Sequence, residues 1–309
     1  MLQSLTLLLT TLLPTLTTAH MRLHNPPPFG APNNPHLTGP PDTTLSNPYN
    51  CCGKPTPFPC KGYLSHLHTP QGSPVATWPV GSTQTFTLSG SGNHYGGSCQ
   101  VGFSIDEGKS WKVVRSFEGN CPHRDGGTEA AGQGFEFRVP ADLPVGESVF
   151  AWTWINREGE FNMLCAAVRI TEAEGDAKGK RTGKGPRRRW VPPHAHGHRR
   201  QWRRGRKYTC ENLDGDDDED NGSYVGSATN STSSSGYTTT SSPAAAGLEE
   251  VAFKDRPSFL WANIDEKIDN GCRTPRTDFE LKYPNPGPDV MLGDGAYELK
   301  LPWPAEKCG

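Results

Sequence analysis

The fold is decided by the apolar run Val149-Phe150-Ala151-Trp152-Thr153-Trp154-Ile155, which is rich in aromatic and β-branched residues. Residues of this kind favour a strand that packs into a core. A second core strand is predicted by Cys165-Ala166-Ala167-Val168-Arg169-Ile170. The polar stretch between them, from Asn156 to Glu160, predicts the connection of a hairpin.

Further strand candidates lie on the N-terminal side of this pair and share short alternating patterns. Turn signals such as Asp106-Glu107-Gly108 and Asp125-Gly126-Gly127 separate them. With no amphipathic helix between the strands, the spacing predicts an all-β, antiparallel β-sandwich over residues 20–172. These additional candidates are 84–88, 101–105, 111–114 and 135–139.

The sequence on either side of the predicted sandwich differs from it in composition. Residues 1–19 combine an apolar run with small residues before a cleavage site and predict a secretory signal peptide. Residues 173–255 carry basic and acidic blocks and a Ser/Thr tract with the glycosylation sequons at Asn221 and Asn230. They predict a disordered linker, and residues 256–309 predict a small terminal module.

The cysteines fit this secreted organisation. Nine of them behind a signal peptide predict disulfides formed in an oxidising compartment. The proline-rich segment 20–80 has little periodicity and is expected to be irregular chain pinned by Cys51, Cys52 and Cys60. A Cys272–Cys308 bridge would close the terminal module, and Cys210 makes the count odd. The six cysteines within 20–172 leave fifteen pairings open.

Composition excludes several classes of function. The net charge of −2 gives no general signal for nucleic acid, and no later apolar stretch approaches the roughly 20 residues that span a bilayer. The sequence contains no Ser-His-Asp arrangement, phosphate loop or dinucleotide fingerprint. We therefore predict a secreted, extracellular monomer without a membrane or nucleic-acid partner.

Two histidines are candidate metal ligands. Cleavage after Ala19 would place His20 at the N-terminus, where its α-amine and ring can chelate one ion. His94 lies in the Gly-rich turn Asn93-His94-Tyr95-Gly96-Gly97, which a disulfide at Cys99 would anchor. Three nitrogens from this pair suit copper. The alternative is that His20 merely follows the cut and His94 is an ordinary exposed loop residue.

Other polar clusters are less specific. The carboxylates of the 156–160 connection could support the two histidines as outer partners, or they could simply form a polar hairpin. His194, His196 and His198 lie in the basic block, whose composition favours a solvated linker over a metal or phosphate site.

Taken together, these motifs resemble the fungal lytic polysaccharide monooxygenases of auxiliary activity family 11, whose known members act on chitin. The resemblance covers nearly all of residues 20–172 and is carried by several motifs in order. The terminal module resembles, more weakly, a chitin-binding appendage through Tyr283-Pro284-Asn285-Pro286-Gly287-Pro288. The motifs of the main domain are His20-Met21, Asn25-Pro26-Pro27-Pro28-Phe29-Gly30, 81–88, 94–100, Trp111-Lys112-Val113, 151–157, Glu160 and Cys165.

The resemblance implies an immunoglobulin-like sandwich with a flat copper face. His20 would bind one copper ion through its amine and Nδ1, and His94 would bind it through Nε2. Glu160 falls on the family's glutamate near the metal. An external electron donor and oxygen or hydrogen peroxide would support oxidation at a sugar carbon beside the β-1,4 glycosidic bond of crystalline chitin.

One position departs from the family pattern. The family usually places an axial tyrosine two residues after that glutamate and three before the cysteine, where this chain has Asn162. Phe161 precedes it and could turn toward the metal by a local shift. Glu160, Phe161 and Asn162 are therefore the expected catalytic positions.

Two other functions remain open at this point. The first is a non-catalytic copper-binding or chitin-binding protein on the same scaffold, which Asn162 favours. The second is a disulfide-rich wall or adhesion protein with a glycosylated stalk, which would not bind copper tightly.

Overall fold

The computed structural model of the protein describes residues 20–173 and 251–309. Several predicted features lie outside these residues: the predicted signal peptide, Cys210, both sequons, the three histidines of the basic block and almost all of the predicted linker. Within the described ranges the strands are β1 (Met21–Asn25), β2 (Ala76–Pro79), β3 (Thr83–Gly90), β4 (Ser98–Ser104), β5 (Lys112–Glu118), β6 (Gly134–Arg138), β7 (Gly146–Ile155), β8 (Phe161–Thr171), β9 (Phe279–Leu281), β10 (Val290–Leu292) and β11 (Glu298–Lys300). Helix α1 is the single turn Glu266–Asp269.

Two sheets enclose the main core. One has the order β1-β3-β6, and the other has the order β10-β5-β4-β7-β8-β2. The four central strands β5, β4, β7 and β8 pair antiparallel. Aromatic side chains of both sheets meet between the layers, with Phe86 of β3 near Phe117 of β5 and Phe150 of β7. The predicted β-sandwich is confirmed.

The larger sheet is buried on both faces, which explains its sequence. Every residue of β4 is buried, and so are residues 148–155 of β7 and 161–168 of β8. A strand covered on both faces reads as a continuous apolar run instead of an alternating one. Trp152 faces the core between the sheets, whereas Ala151 belongs to a second core on the outer face.

The first described residues form a strand that the sequence pattern did not predict. Met21 and Leu23 of β1 are fully buried, and β1 pairs antiparallel with β3 through residues 87–90. The expectation of irregular chain from residue 20 onward was therefore wrong at its start. The alternation of Met21 and Leu23 was the available signal, but it is short and runs directly into prolines.

Disulfides join the loops to the sheets. Cys60 is bonded to Cys165 of β8, and Cys99 of β4 is bonded to Cys121. Cys51 is also disulfide-bonded. The Cys60–Cys165 bridge fixes the proline-rich segment against the outer face of the larger sheet, where Phe29 and Tyr49 join the second core.

The terminal segment 251–309 packs onto the sandwich. It shares one compact unit with the described N-terminal residues, whereas the sequence suggested a module of its own. Strand β10 pairs parallel with β5, and Phe259, Leu281 and Tyr283 join the second core. The predicted Cys272–Cys308 disulfide is confirmed. The segment is too short to bury its apolar side chains alone, so it buries them against the larger sheet.

The packed region also begins earlier than predicted. Phe253 lies within the expected linker, yet it is buried in the main core and its backbone N–H donates to Asp142 Oδ2 at 2.8 Å. Among the described residues, no helix has the length and apolar character needed to cross a membrane.

Candidate metal centre

His20 is placed by the strand that follows it. Met21 pairs with Gly90 of β3, and a Cβ atom at Gly90 would lie 2.1 Å from the carbonyl oxygen of His20. Glycine is therefore required there for the two strands to approach. The His20 carbonyl accepts from the N–H of Ser91 at 3.1 Å, and the His20 N–H donates to Ser91 Oγ at 3.3 Å.

His94 lies on a tight turn held to the sandwich on both sides. The amide of Asn93 donates to the carbonyls of His123 and Arg124 at 3.0 and 2.9 Å. On the other side of the turn, a Cβ atom at Gly97 would lie 2.5 Å from the carbonyl oxygen of Ile155, so only glycine fits. The predicted anchoring of this turn by a disulfide at Cys99 is confirmed.

Glu160 ends the connection between β7 and β8. Its side chain accepts from Asn156 Nδ2 at 2.7 Å, and its backbone N–H donates to Asn156 Oδ1 at 2.9 Å. The same Asn156 oxygen accepts from the N–H of Glu158 at 3.0 Å. One asparagine thus fixes both the backbone of this connection and the orientation of the Glu160 carboxylate.

The fold brings His20, His94 and Glu160 together. Each offers one possible ligand atom, and these atoms lie within 4.8 Å of one another. The two imidazole rings have centroids 4.7 Å apart. Both rings are largely shielded, with side-chain exposures of 14% for His20 and 9% for His94.

Two carboxylates decide which ring nitrogens are available. His20 Nε2 lies 3.1 Å from Glu160 Oε2, and His94 Nδ1 lies 3.1 Å from Glu158 Oε1. An ionised carboxylate can only accept, so these ring nitrogens carry the proton in the neutral imidazoles. The lone pairs then lie on His20 Nδ1 and His94 Nε2, which are buried and make no hydrogen bond within the described residues. Buried basic nitrogens without a donor fit a metal ion.

The charge state of Glu160 depends on this arrangement. The hydrogen bond from His20 lowers the pKa of the Glu160 carboxyl below its ordinary 4.5, against the opposing effect of partial burial. The amide of Asn156 adds to the lowering. Glu160 is therefore an anion beside the two rings at neutral pH.

This shift predicts an acid-dependent loss of stability in the metal-free protein. Because the folded pKa is depressed, the stabilisation from ionised Glu160 is complete above its unfolded value and is lost as the pH falls through the folded value. We expect the difference in melting temperature between the wild type and Glu160→Gln to shrink between about pH 6 and about pH 3. Thermal unfolding across this range measures the difference, and parallel curves would contradict the assignment.

The other two predicted site residues lie differently. Phe161 packs in the second core against Tyr49 and Trp261, with ring centroids 5.4 and 6.1 Å away, so it points away from the histidines. Asn162 pairs in register with Trp154, whose ring lies 5.8 Å from that of His94. The Asn162 amide donates to the carbonyl of Ser46 at 3.2 Å. Its Oδ1 atom is buried and accepts no hydrogen bond among the described residues.

Sequence reasoning missed the contribution of the terminal segment to this region. The carboxylate of Glu280 in β9 accepts from the backbone N–H of Gly97, at the end of the His94 turn, at 2.9 Å. The two residues are 183 positions apart. No local motif signals such a contact, since an isolated glutamate in an irregular segment usually marks an exposed position.

Comparison with known proteins gives the family. No family model matches the chain. It is 37% identical over 163 residues to the "AA11 family lytic polysaccharide monooxygenase A" of Aspergillus fumigatus, covering 52% of this chain and 68% of that relative. The chain belongs to the AA11 family of lytic polysaccharide monooxygenases. Membership confirms the predicted family and places the chain in a class of copper-dependent oxidoreductases that cleave polysaccharides.

A second AA11 relative extends well beyond the region that it shares with this chain. The chain is 32% identical over 166 residues to the "AA11 family lytic polysaccharide monooxygenase B" of Aspergillus fumigatus, and the match spans 50% of this chain and 36% of that relative. Among solved structures, CvAA9A is similar at 13% identity over 52% of this chain and 73% of its own, with a TM-score of 0.27. The sandwich assignment for this AA11 chain follows from its own strand order and burial.

Proposed function

We propose that this AA11 protein is a secreted copper monooxygenase that cleaves β-1,4 glycosidic bonds in crystalline chitin by oxidation. The observation that carries the proposal is the pair of buried nitrogens, His20 Nδ1 and His94 Nε2, left without hydrogen-bond partners among the described residues. One copper ion bound there supplies one-electron redox chemistry with an external donor and oxygen or hydrogen peroxide.

The chain's own residues would prepare the site in three ways. His20, once freed by cleavage after Ala19, would bind through its α-amine and Nδ1, and His94 through Nε2. Glu160 and Glu158 hold the outer ring N–H groups and so fix both rings in the ligating tautomer. Asn156 keeps the Glu160 carboxylate in place.

An exposed aromatic side chain next to the site supports a polysaccharide substrate. Tyr95 follows His94 directly and the residue is 70% exposed. An exposed aromatic face can stack on a sugar ring, because one side of a pyranose is apolar. Substrate bound there would lie beside the two histidines.

A non-catalytic copper-binding or chitin-binding role is the second candidate, and Asn162 favours it. This residue stands where a tyrosine was expected, and its amide is used to hold the carbonyl of Ser46. A chitin-binding role for the terminal segment stays a prediction of the same kind.

Product analysis tests the proposed function. Copper-loaded protein beginning at His20 is incubated with β-chitin, a reductant and oxygen or hydrogen peroxide, and we expect oxidised chitooligosaccharides by mass spectrometry. The matched control carries one alanine before His20, which keeps the ring but moves the α-amine away. We expect it to release no oxidised product. Equal product from both proteins, or none from either, would contradict the enzyme assignment.

A further inference from the structure

The terminal segment provides a buried carboxylate beneath the His94 turn. Glu280 of β9 has a side-chain exposure of 1%. Its Oε1 atom accepts from the N–H of Gly97 at 2.9 Å and from the N–H of Asn120 at 3.0 Å. The two amides belong to the loops on either side of the Cys99–Cys121 bridge. One oxygen thus joins the His94 turn to the neighbouring loop.

Arg124 compensates the buried charge. Its Nη2 atom donates to both oxygens of Glu280 at 3.2 Å, and its Nε atom donates to Asp294 Oδ2 at 2.7 Å. The hydrogen bond between Arg124 and Asp294 raises the pKa of the Arg124 guanidinium and lowers the pKa of Asp294 to about 2. The charge of Glu280 also raises the pKa of Arg124. Arg124 Nη1 also donates to the carbonyl of Tyr95, inside the His94 turn.

The His94 turn needs this support because its backbone is strained. Four successive residues have positive φ angles, namely 46° at His94, 55° at Tyr95, 106° at Gly96 and 114° at Gly97. Side chains with a Cβ atom disfavour this left-handed region, so His94 and Tyr95 are the strained positions. Such a conformation persists only where surrounding contacts determine it.

The same segment also touches the connection that carries Glu160. The N–H of Thr277 donates to the carbonyl of Arg157 at 2.5 Å, and the Arg157 guanidinium lies 3.4 Å from the centre of the Tyr297 ring. A Cβ atom at Gly159 would lie 2.6 Å from Arg276 Nε, so the two surfaces are in close contact. The terminal segment therefore contacts both turns that supply candidate site residues.

We propose that Glu280 is a positioning residue of the metal centre, which holds His94 in the conformation that presents Nε2 to copper. The inference rests on the proposed function for the identity of the metal. It assigns to the terminal segment a part in building the site, separate from any binding of polysaccharide by that segment.

The experiment compares variants that span residues 20–309 and begin at His20. Glu280→Ala removes the acceptor, whereas Glu280→Gln keeps an oxygen for the two amides. Asp142→Ala is the matched control, because Asp142 also accepts a hydrogen bond from the terminal segment, from the N–H of Phe253, but precedes β7 at the end opposite Glu160. Thermal unfolding first establishes that each variant is folded. Where Glu280→Ala does not fold, Glu280→Asp withdraws the carboxylate by one methylene and serves the same purpose.

Cu(II) affinity by competition and the EPR spectrum of bound Cu(II) are the first readouts. We expect Glu280→Ala to weaken Cu(II) binding at least about 10-fold, the effect typical of losing an outer partner of a ligand. Its EPR parameters should change, Glu280→Gln should restore most of the affinity, and Asp142→Ala should resemble the wild type. Unchanged affinity and EPR spectra in folded Glu280→Ala, or an equal loss in Asp142→Ala, would overturn the proposal.

A metal-free readout separates this inference from the proposed function. The ¹⁵N shifts of the His94 ring report which nitrogen carries the proton in the apo protein. We expect the Nδ1–H tautomer in the wild type and in Glu280→Gln, and a mixture in Glu280→Ala. If the wild type binds no copper, the copper proposal fails, but the tautomer shift still decides whether Glu280 positions His94.

Discussion

We expect His94→Ala to weaken Cu(II) binding by more than about 100-fold and to abolish the release of oxidised chitin fragments. The loss should exceed the 10–100-fold that removal of an outer partner typically causes, because a ligand itself is removed. The His94 ring also covers His20, with centroids 4.7 Å apart, so its removal opens the site to water. Competition titration and mass spectrometry of the products measure the two effects.

His24→Ala is the matched control for this experiment. His24 lies in β1, close to His20 in the chain, and is half-buried. Its Nδ1 atom hydrogen-bonds with Ser89 Oγ at 3.2 Å, and it is not part of the cluster of His20, His94 and Glu160. The substitution removes an imidazole near the start of β1 without touching the proposed ligands. Wild-type copper affinity in His94→Ala would exclude His94 as a ligand. An equal loss in His24→Ala would show that the loss of copper binding is not specific to the proposed ligand His94.

The sequence was sufficient to predict the β-sandwich and to single out His20, His94 and Glu160, the three residues of the candidate metal centre. Continuous apolar runs such as 149–155 predict buried strands whatever their partners are. His94 stood out because glycines flank it and a cysteine follows, and the turn is in fact held by that cysteine and by Gly97. The sequence around His94 was therefore sufficient to predict the turn, because Gly97 and Cys99, which help to hold the turn, lie close to His94 in the chain.

What escaped prediction depends on contacts between distant parts of the chain. The orientation of Phe161 could have been argued from strand alternation, since neighbours in a strand point to opposite faces. The role of Glu280 could not, because a lone acidic residue gives no sign that an arginine and two backbone amides will surround it. The same holds for the terminal segment, whose few apolar residues only acquire a core when the larger sheet is present.

The packing of the terminal segment leads to a large expected effect on stability. Phe259 is 3% exposed and lies between Trp111 and Trp261, with ring centroids 5.9 and 5.6 Å away. Its ring also covers the backbone of β4, because a Cβ atom at Gly102 would lie 3.0 Å from Phe259 Cζ. We expect Phe259→Ala to lower the free energy of unfolding by about 3–5 kcal/mol, the range for emptying a buried aromatic site.

Chemical denaturation of the metal-free protein, followed by tryptophan fluorescence and by circular dichroism, tests this expectation. Leu292→Ala is the control, because Leu292 lies on the same segment, is 66% exposed and should change stability by less than about 0.5 kcal/mol. If the segment and the sandwich form one cooperative unit, both probes should shift together in Phe259→Ala. The contrary outcome is two separate transitions, of which the substitution shifts only the smaller. It would mean that the segment folds as a module of its own, because loss of an independent core would leave the sandwich unaffected.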